Sequence, residues 1–458
     1  MPATTIAEQL AAYAATLRYE DIPAEVVHRA KALIVDTIGC GIGGRVGEAP
    51  KIVLDLALEI TSKSPATILG TDKQTSMEMA AFANDAMIRF LDYNDGYTSL
   101  TSGHPSDSIG ALLVAAEAAH ADGRALITAT VAAYEIYCRL SDTAHLKQLG
   151  WDHAIPGGIA SALGAARLLG LTQAQMVEAV NIFVSSNNVL FQVRIGNVSM
   201  WKGCAYAYAD KNAIFAVQLA QRGMTGPSPI FEGKGGYFVG VSREPFALAP
   251  FGGRGGSFKI MECLMKRYPL GQYSQTIVDA ALQLHARLGN IDDVAEVEIL
   301  TLEPAITIMA GDPDKWHPVN RESADHSMPY VTAIALTYGK IDEHHFEPPY
   351  LTDKKLLGLV SRVKVIESEE ANSRAPEAML CDVNLTFKDG RRDTARVEYH
   401  RGHWRNPMSD EEVSTKFHEL ADAYLTQPRA KALADALWKL EDMQDTARIY
   451  EMARIGKA

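Results

Sequence analysis

Val294-Ala-Glu-Val-Glu-Ile-Leu300 is the first clear strand pattern in this 458-residue chain, and it divides the sequence into two kinds of structure. Upstream, from Ile6 to about Arg222, Ala, Leu and Ile recur every three or four residues, with stops at Gly39 to Gly44, Gly123, Gly170 and Gly223. Thr172-Gln-Ala-Gln175 reads as a capping box between two such helices. Downstream, Val363 to Ile366, Cys381 to Phe387 and Thr394 to Tyr399 read as further strands, the last two joined by the turn signal Asp389-Gly390. Helical patterns at Ser274 to Leu288 and Met328 to Leu336 interleave with them. At Asn406-Pro-Met-Ser409 the helical pattern returns, with Ser409 as N-cap, acidic residues in the first turn, and helices running to Ile455. The fold expected is mainly α with an α+β part: an all-helical body over 1–261, a smaller α+β lid domain over 262–400, and C-terminal helices over 401–458 that rejoin the body. A chain of this length exceeds the size of a single core, and ligands bind in the cleft between two such parts.

Composition narrows the function. The net charge of -12 and the absence of any Lys/Arg run argue against nucleic acid. Five cysteines, widely spaced and without metal-ligand spacing, read as reduced core thiols of a cytoplasmic protein. Met1 to Glu8 lacks the pattern of a signal peptide, and apolar runs such as Ala111 to Ala119 are too short to span a bilayer. Glu232 to Gly236 and Gly252 to Gly256 are glycine-rich but fit no phosphate-loop spacing. Asp342-Glu-His-His-Phe-Glu347 has metal-ligand residue types without a recognisable spacing and reads as a solvated loop.

Chemistry concentrates at Phe90-Leu-Asp-Tyr-Asn-Asp-Gly96 and Ser102-Gly-His-Pro-Ser106, which place two carboxylates and an imidazole in a connection between helices. His104 stands just ahead of Pro105, a good first helical residue. The arrangement recurs at Trp151-Asp-His153 ahead of Pro156, at Trp201-Lys202 opening a helix, and at Asp325-His326 ahead of the N-cap Ser327. A lone histidine is usually a packing or surface residue. Four basic or titratable groups at four helix starts form a cup for a polyanionic substrate, with imidazoles titrating near neutral pH as acid or base.

These stretches resemble the MmgE/PrpD family, whose members include 2-methylcitrate dehydratase and cis-aconitate decarboxylase. Lys31 to Gly44, Gly150-Trp-Asp-His153, Trp201-Lys202, Lys266-Arg-Tyr-Pro269, Ser274-Gln-Thr276 and Asp325-His-Ser-Met-Pro-Tyr330 carry the resemblance together with the 91–107 segment. It implies active-site positions at Asp92, His104, His153, Lys202 and Lys266, with His326 in a matching stretch. The reaction expected is metal-independent removal of water from 2-methylcitrate or a similar hydroxy-polycarboxylate, without a cofactor, in a homodimer that binds neither nucleic acid nor membrane. His104 and His153 are the acid and base in unassigned order, Lys202 and Lys266 neutralise carboxylates, and Asp92 orients an imidazole or raises its pKa. Gly96 and Gly271 stand where the decarboxylase carries threonine and histidine, and Thr307 falls near its lid tyrosine, which disfavours decarboxylation. Tyr273 stands where dehydratase-like relatives often carry histidine, which leaves the substrate open. The competing readings are isomerisation, epimerisation or decarboxylation of a small di- or tricarboxylate on the same scaffold, and a non-catalytic anion-binding protein.

Overall fold

The computed structural model describes residues 4–196 and 198–456, so the leader reading, which starts at Met1, lies partly outside the described residues. The body is built from α1 (Ile6–Thr16), α2 (Ala24–Gly44), α3 (Glu48–Leu58), α4 (Met77–Phe90), α5 (Ile109–Ala118), α6 (Gly123–Ser141), α7 (Ala154–Leu168), α8 (Gln173–Ser186) and α9 (Trp201–Gln221). Thr172 caps α8 through the expected capping box. Alanine and glycine line the contacts of α5, α7 and α9, so these helices approach closely and bury nearly every side chain of α5 and α7. Between α3 and α4 lies a hairpin, β1 (Pro65–Thr67) and β2 (Gln74–Ser76), pairing Ala66 with Thr75. Strands of three residues are too short to show a period in sequence.

The glycine-rich connection does bind an anion, but the anion is the protein's own. Gly252 donates its backbone N-H to Glu135 Oε2 at 2.8 Å, and the Lys259 amide donates to the other oxygen of the same buried carboxylate. The loop is thereby pinned to α6.

The second part folds around a four-stranded sheet of order β4-β3-β5-β6, with β3 (Val294–Thr301), β4 (Val363–Glu367), β5 (Cys381–Phe387) and β6 (Arg392–Val397). β3 runs parallel to β4 and antiparallel to β5, and Val297 faces both Val363 and Leu385 in register. β5 alternates buried and half-buried residues along its whole length, so one face is covered, and the helices Gln275–His285 and Met328–Tyr338 belong to the same core. That core draws its residues from Leu264 to Val397. The body core also includes Val413, Phe417, Leu433 and Tyr450 from the C-terminal helices, which therefore close back onto the body. The molecule is mainly α with an α+β part.

The 342–347 segment differs from its reading. Glu343–Phe346 form a 3-10 turn, His345 is buried, and its Nδ1 lies 2.8 Å from Asp342, because Phe346 pulls the turn into the second core. All five cysteines are buried and unpaired, although Cys138 and Cys263 approach to 4.0 Å. Among the described residues, no helix is long and apolar enough to cross a membrane.

Candidate active site

α4 ends at Phe90, and the chain turns sharply because Asp92 adopts φ +50°, a left-handed conformation that aspartate tolerates better than most residues. The turn is held by the Asp92 amide donating to the Arg89 carbonyl at 3.1 Å. Gly96 then pairs its backbone with Leu264, and Tyr97 pairs with Gly103, which returns the chain to His104 and Pro105. A side chain at position 96 would meet Gln272 Oε1 at 2.3 Å and would have to displace the Gln272 side chain. Asp95 is a brace: its carboxylate accepts from the Ser106 amide and hydroxyl and from the Tyr134 hydroxyl. Burial raises its pKa to about 6 against those hydrogen bonds.

His104, His153, Lys202 and His326 converge on one cavity of about 50 Å³ between the body and the second part. His104 and His153 occupy N-cap positions, Lys202 is the second residue of α9, and His326 precedes the N-cap Ser327. Several helix N-termini thus add their partial positive charge to one small space. Arg89, Lys147 and Arg194 complete its cationic lining. Arg89 is held by Asp92 at 2.6 Å, Arg194 by Asp152 at 2.9 Å, and Lys202 by Asp325 at 2.8 Å. Lys147, half-buried, has no ion-pair partner among the described residues. Burial, with Arg194 and Arg89 nearby, lowers its pKa to about 8 against the pull of Asp152, which leaves it mostly charged at neutral pH. Neither Lys147 nor Arg89 stood out in the sequence, since each lies away from any helix start and in no motif.

Asp92 and Lys266 lie behind this wall. Lys266 is fully buried, and its ammonium donates to the Asp92 carbonyl at 2.9 Å and to the Asp92 carboxylate, so it reaches the cavity only through Asp92. Its pKa falls to about 8 through burial and Arg89, opposed by Asp92. Burial alone would raise the Asp92 carboxyl, but Arg89, Lys266, Lys202 and His326 outweigh it and hold the group well below its usual range. The imidazole beside Asp92 is that of His326, whose Nε2 is 3.2 Å from Oδ2.

The expectation of imidazoles titrating near neutral pH is corrected for His104 and His326. His104 places Nδ1 2.6 Å from the Asp95 carbonyl, which can only accept, and Nε2 2.9 Å from Arg89, which can only donate. Its ring is therefore neutral, protonated at Nδ1, and has no free nitrogen. Burial, Arg89 and Lys266 push its pKa well below the ordinary value. His326 falls to about 4 through burial and Lys202, against the opposing pull of Asp92 and Asp325.

His153 is different. Its ring is buried, and neither nitrogen has a hydrogen-bond partner among the described residues. Asp152 Oδ1 lies 3.3 Å from Nδ1 and Asp107 Oδ2 3.9 Å from Nε2, neither aligned to bond. The ring packs against Gly103, where a Cβ would come within 2.4 Å of it.

Asp92, Asp325 and His326 bring ligand-type atoms within 4.8 Å of one another. Their oxygens already face Lys202, Lys266 and Arg89, so a divalent cation there would have to displace or confront three positive groups.

The sequence matches that of a known group over most of its length. Residues 8–248 match the MmgE/PrpD N-terminal domain and residues 268–442 the MmgE/PrpD C-terminal domain. The chain belongs to the MmgE/PrpD family. It is 29% identical to the 2-methylcitrate dehydratase of Escherichia coli strain K12 over 447 residues, covering 92% of this chain and 89% of that protein. It is 28% identical to the 2-methylcitrate dehydratase of Cupriavidus necator, covering 85% and 84%. The Homo sapiens cis-aconitate decarboxylase is 26% identical, covering 96% and 93%. Within the MmgE/PrpD scaffold this chain has Gly271 on the cavity wall, where a Cβ would lie 2.7 Å from Met309 and 3.3 Å from His326 Nε2.

Proposed function

We propose that this protein is a metal-independent hydro-lyase acting on 2-methylcitrate or a related hydroxy-polycarboxylate. The observation that carries the reading is the unbonded ring of His153 facing a cavity whose lining is cationic. A proton beside a carboxylate is removed only where positive charge stabilises the developing carbanion. Lys147, without an ion-pair partner among the described residues, takes one carboxylate, and Lys202 with Arg89 supplies further positive charge in the same cavity. His153 removes the proton, since neither of its ring nitrogens is hydrogen-bonded among the described residues. The leaving hydroxide takes a proton from the Lys202 and His326 pair, where the lysine ammonium lies 2.9 Å from His326 Nδ1. His104, neutral and fully bonded, positions Arg89. Lys266 acts through Asp92, whose charge it shares with Lys202 and Arg89. The close spacing of cations with Asp92 and Asp325 supports a site that needs no metal.

The relatives named as dehydratases support this reading at the level of the scaffold. The absence of a side chain at Gly271 weighs against the decarboxylase alternative. The test is incubation with citrate, 2-methylcitrate, cis-aconitate and malate-type acids, with and without a chelator, following the ultraviolet absorbance of a conjugated acid. A conjugated product formed from a hydroxy acid, undiminished by chelation, is the expected result. Carbon dioxide release, or activity that needs an added divalent metal, would overturn it.

A further inference from the structure

The inner cavity, at about 50 Å³, has room for only a few water-sized groups, each needing about 10–15 Å³ on the same measure. A larger acid must extend out of it. The inner cavity shares Ser102, Lys147, Phe191, Tyr273 and Ile308 with a second chamber of about 500 Å³. The outer chamber has a different chemistry. Leu100 from the body and Leu302, Pro304 and Pro376 from the second part add apolar surface to the shared Phe191, Tyr273 and Ile308. Its charged lining residues are Lys147, shared with the inner cavity, and Glu303, which accepts from the Thr307 hydroxyl. His145 and Tyr273 are the remaining titratable residues of the lining. A carboxylate carried far into this chamber would meet Glu303 and apolar walls. An alkyl group would lose water there.

We infer that the acid recognised by this protein carries an apolar substituent larger than methyl, seated in the outer chamber while Lys147 and Lys202 hold its carboxylate end. The inference rests on the proposed hydro-lyase reading for which acid is turned over, but not for which acid is bound. Each methylene removed from water contributes about fourfold in affinity when fully buried, so even partial seating of a short chain gives a measurable gain. Leu100 is 40% exposed and Thr307 is also exposed, so both can be changed without disturbing either core.

Two probes without a hydroxyl to eliminate, tricarballylate and its 2-butyl derivative, isolate binding from turnover. Isothermal titration calorimetry on the full chain should show the butyl acid binding at least about tenfold more tightly, with a more negative heat-capacity change. Leu100→Asp, which adds a charge, and Thr307→Trp, which fills the chamber, should each abolish that gain while retaining affinity for tricarballylate. Equal affinities in the wild-type protein would overturn the inference, as would a butyl gain surviving both substitutions or failure of both probes to bind. If a second copy of the chain fills the chamber instead, the butyl gain is absent and Leu100→Asp dissociates the oligomer in sedimentation. A butyl gain in a protein that dehydrates none of the acids leaves the chamber assignment standing and removes the hydro-lyase reading.

Discussion

Arg89 donates to His104 Nε2 across 2.9 Å, and this single contact fixes the protonation of the imidazole most conspicuous in the sequence. A guanidinium cannot accept, so the nitrogen facing it carries a lone pair. His104 should therefore show the Nδ1-protonated neutral tautomer in ¹⁵N NMR across the range in which a free imidazole titrates, around pH 6.5. Observation of an imidazolium at His104 within that range would contradict the assignment.

His153 and Lys202 share a cavity but differ in the work assigned to them. His153→Gln keeps a hydrogen-bonding side chain without a titrating nitrogen, so kcat should fall roughly 10²- to 10⁴-fold with KM nearly unchanged. Lys202→Met removes charge both before and during proton abstraction, so KM should rise as kcat falls. Steady-state kinetics on both variants, with circular dichroism to verify folding, separates the roles. Near-normal turnover by His153→Gln would reduce His153 to a packing residue and move proton transfer to His326.

Asp92 is the only anion that touches Arg89, Lys266, Lys202 and His326 together among the described residues. Asp92→Asn leaves those buried cations in excess and should destabilise the fold by about 3–5 kcal/mol. Urea denaturation monitored by tryptophan fluorescence measures this directly. A loss below about 1 kcal/mol would mean that the cations are neutral or hydrated once Asp92 is gone.

Away from the site, burial lowers the pKa of His400 from 6.5 to about 4, with the Arg401 carbonyl opposing and Lys266 reinforcing the shift. The unfolded chain takes up this proton first as pH falls. The stability linked to His400 is therefore complete above about 6.5 and lost progressively down to about 4, at up to about 1.4 kcal/mol per pH unit. His403, buried beside it, shifts to about 3 and acts in the same direction. Denaturation midpoints at about pH 7, 6 and 5 should fall less steeply for His400→Gln than for the wild-type protein. Parallel curves would show that His400 does not titrate on unfolding.

The features legible in the sequence were those written locally. The N-caps Thr172, Ser327 and Ser409 and the helix starts beside His104, His153 and Lys202 depend on residues within a turn, and each stands at or within two residues of where its signal put it, α7 beginning at Ala154 rather than Pro156. The alternation of β5 was legible for the same reason. What stayed hidden depends on distant partners. Lys147 matters because Asp152 does not pair with it and pairs with Arg194 instead. His104 is neutral because Arg89, fifteen residues away in the chain, donates to its ring. The helix Glu303–Met309, which shapes the outer chamber, is seven residues long and too short for a periodic signal.

One contact has a bearing on synthesis of the chain. Lys416, on the helix Asp410–Ala421, donates to the carbonyls of Tyr93 and Lys266 at 2.8 Å each and pairs with Asp36 at 2.6 Å. It ties together the two segments that carry Asp92 and Lys266, yet it emerges from the ribosome after every residue lining the cavity. A nascent chain stopped short of Lys416 would hold all the chemistry and lack the strap that sets its spacing. Competence should thus arrive at the end of translation, and chains released early would be inert even where their helices have formed.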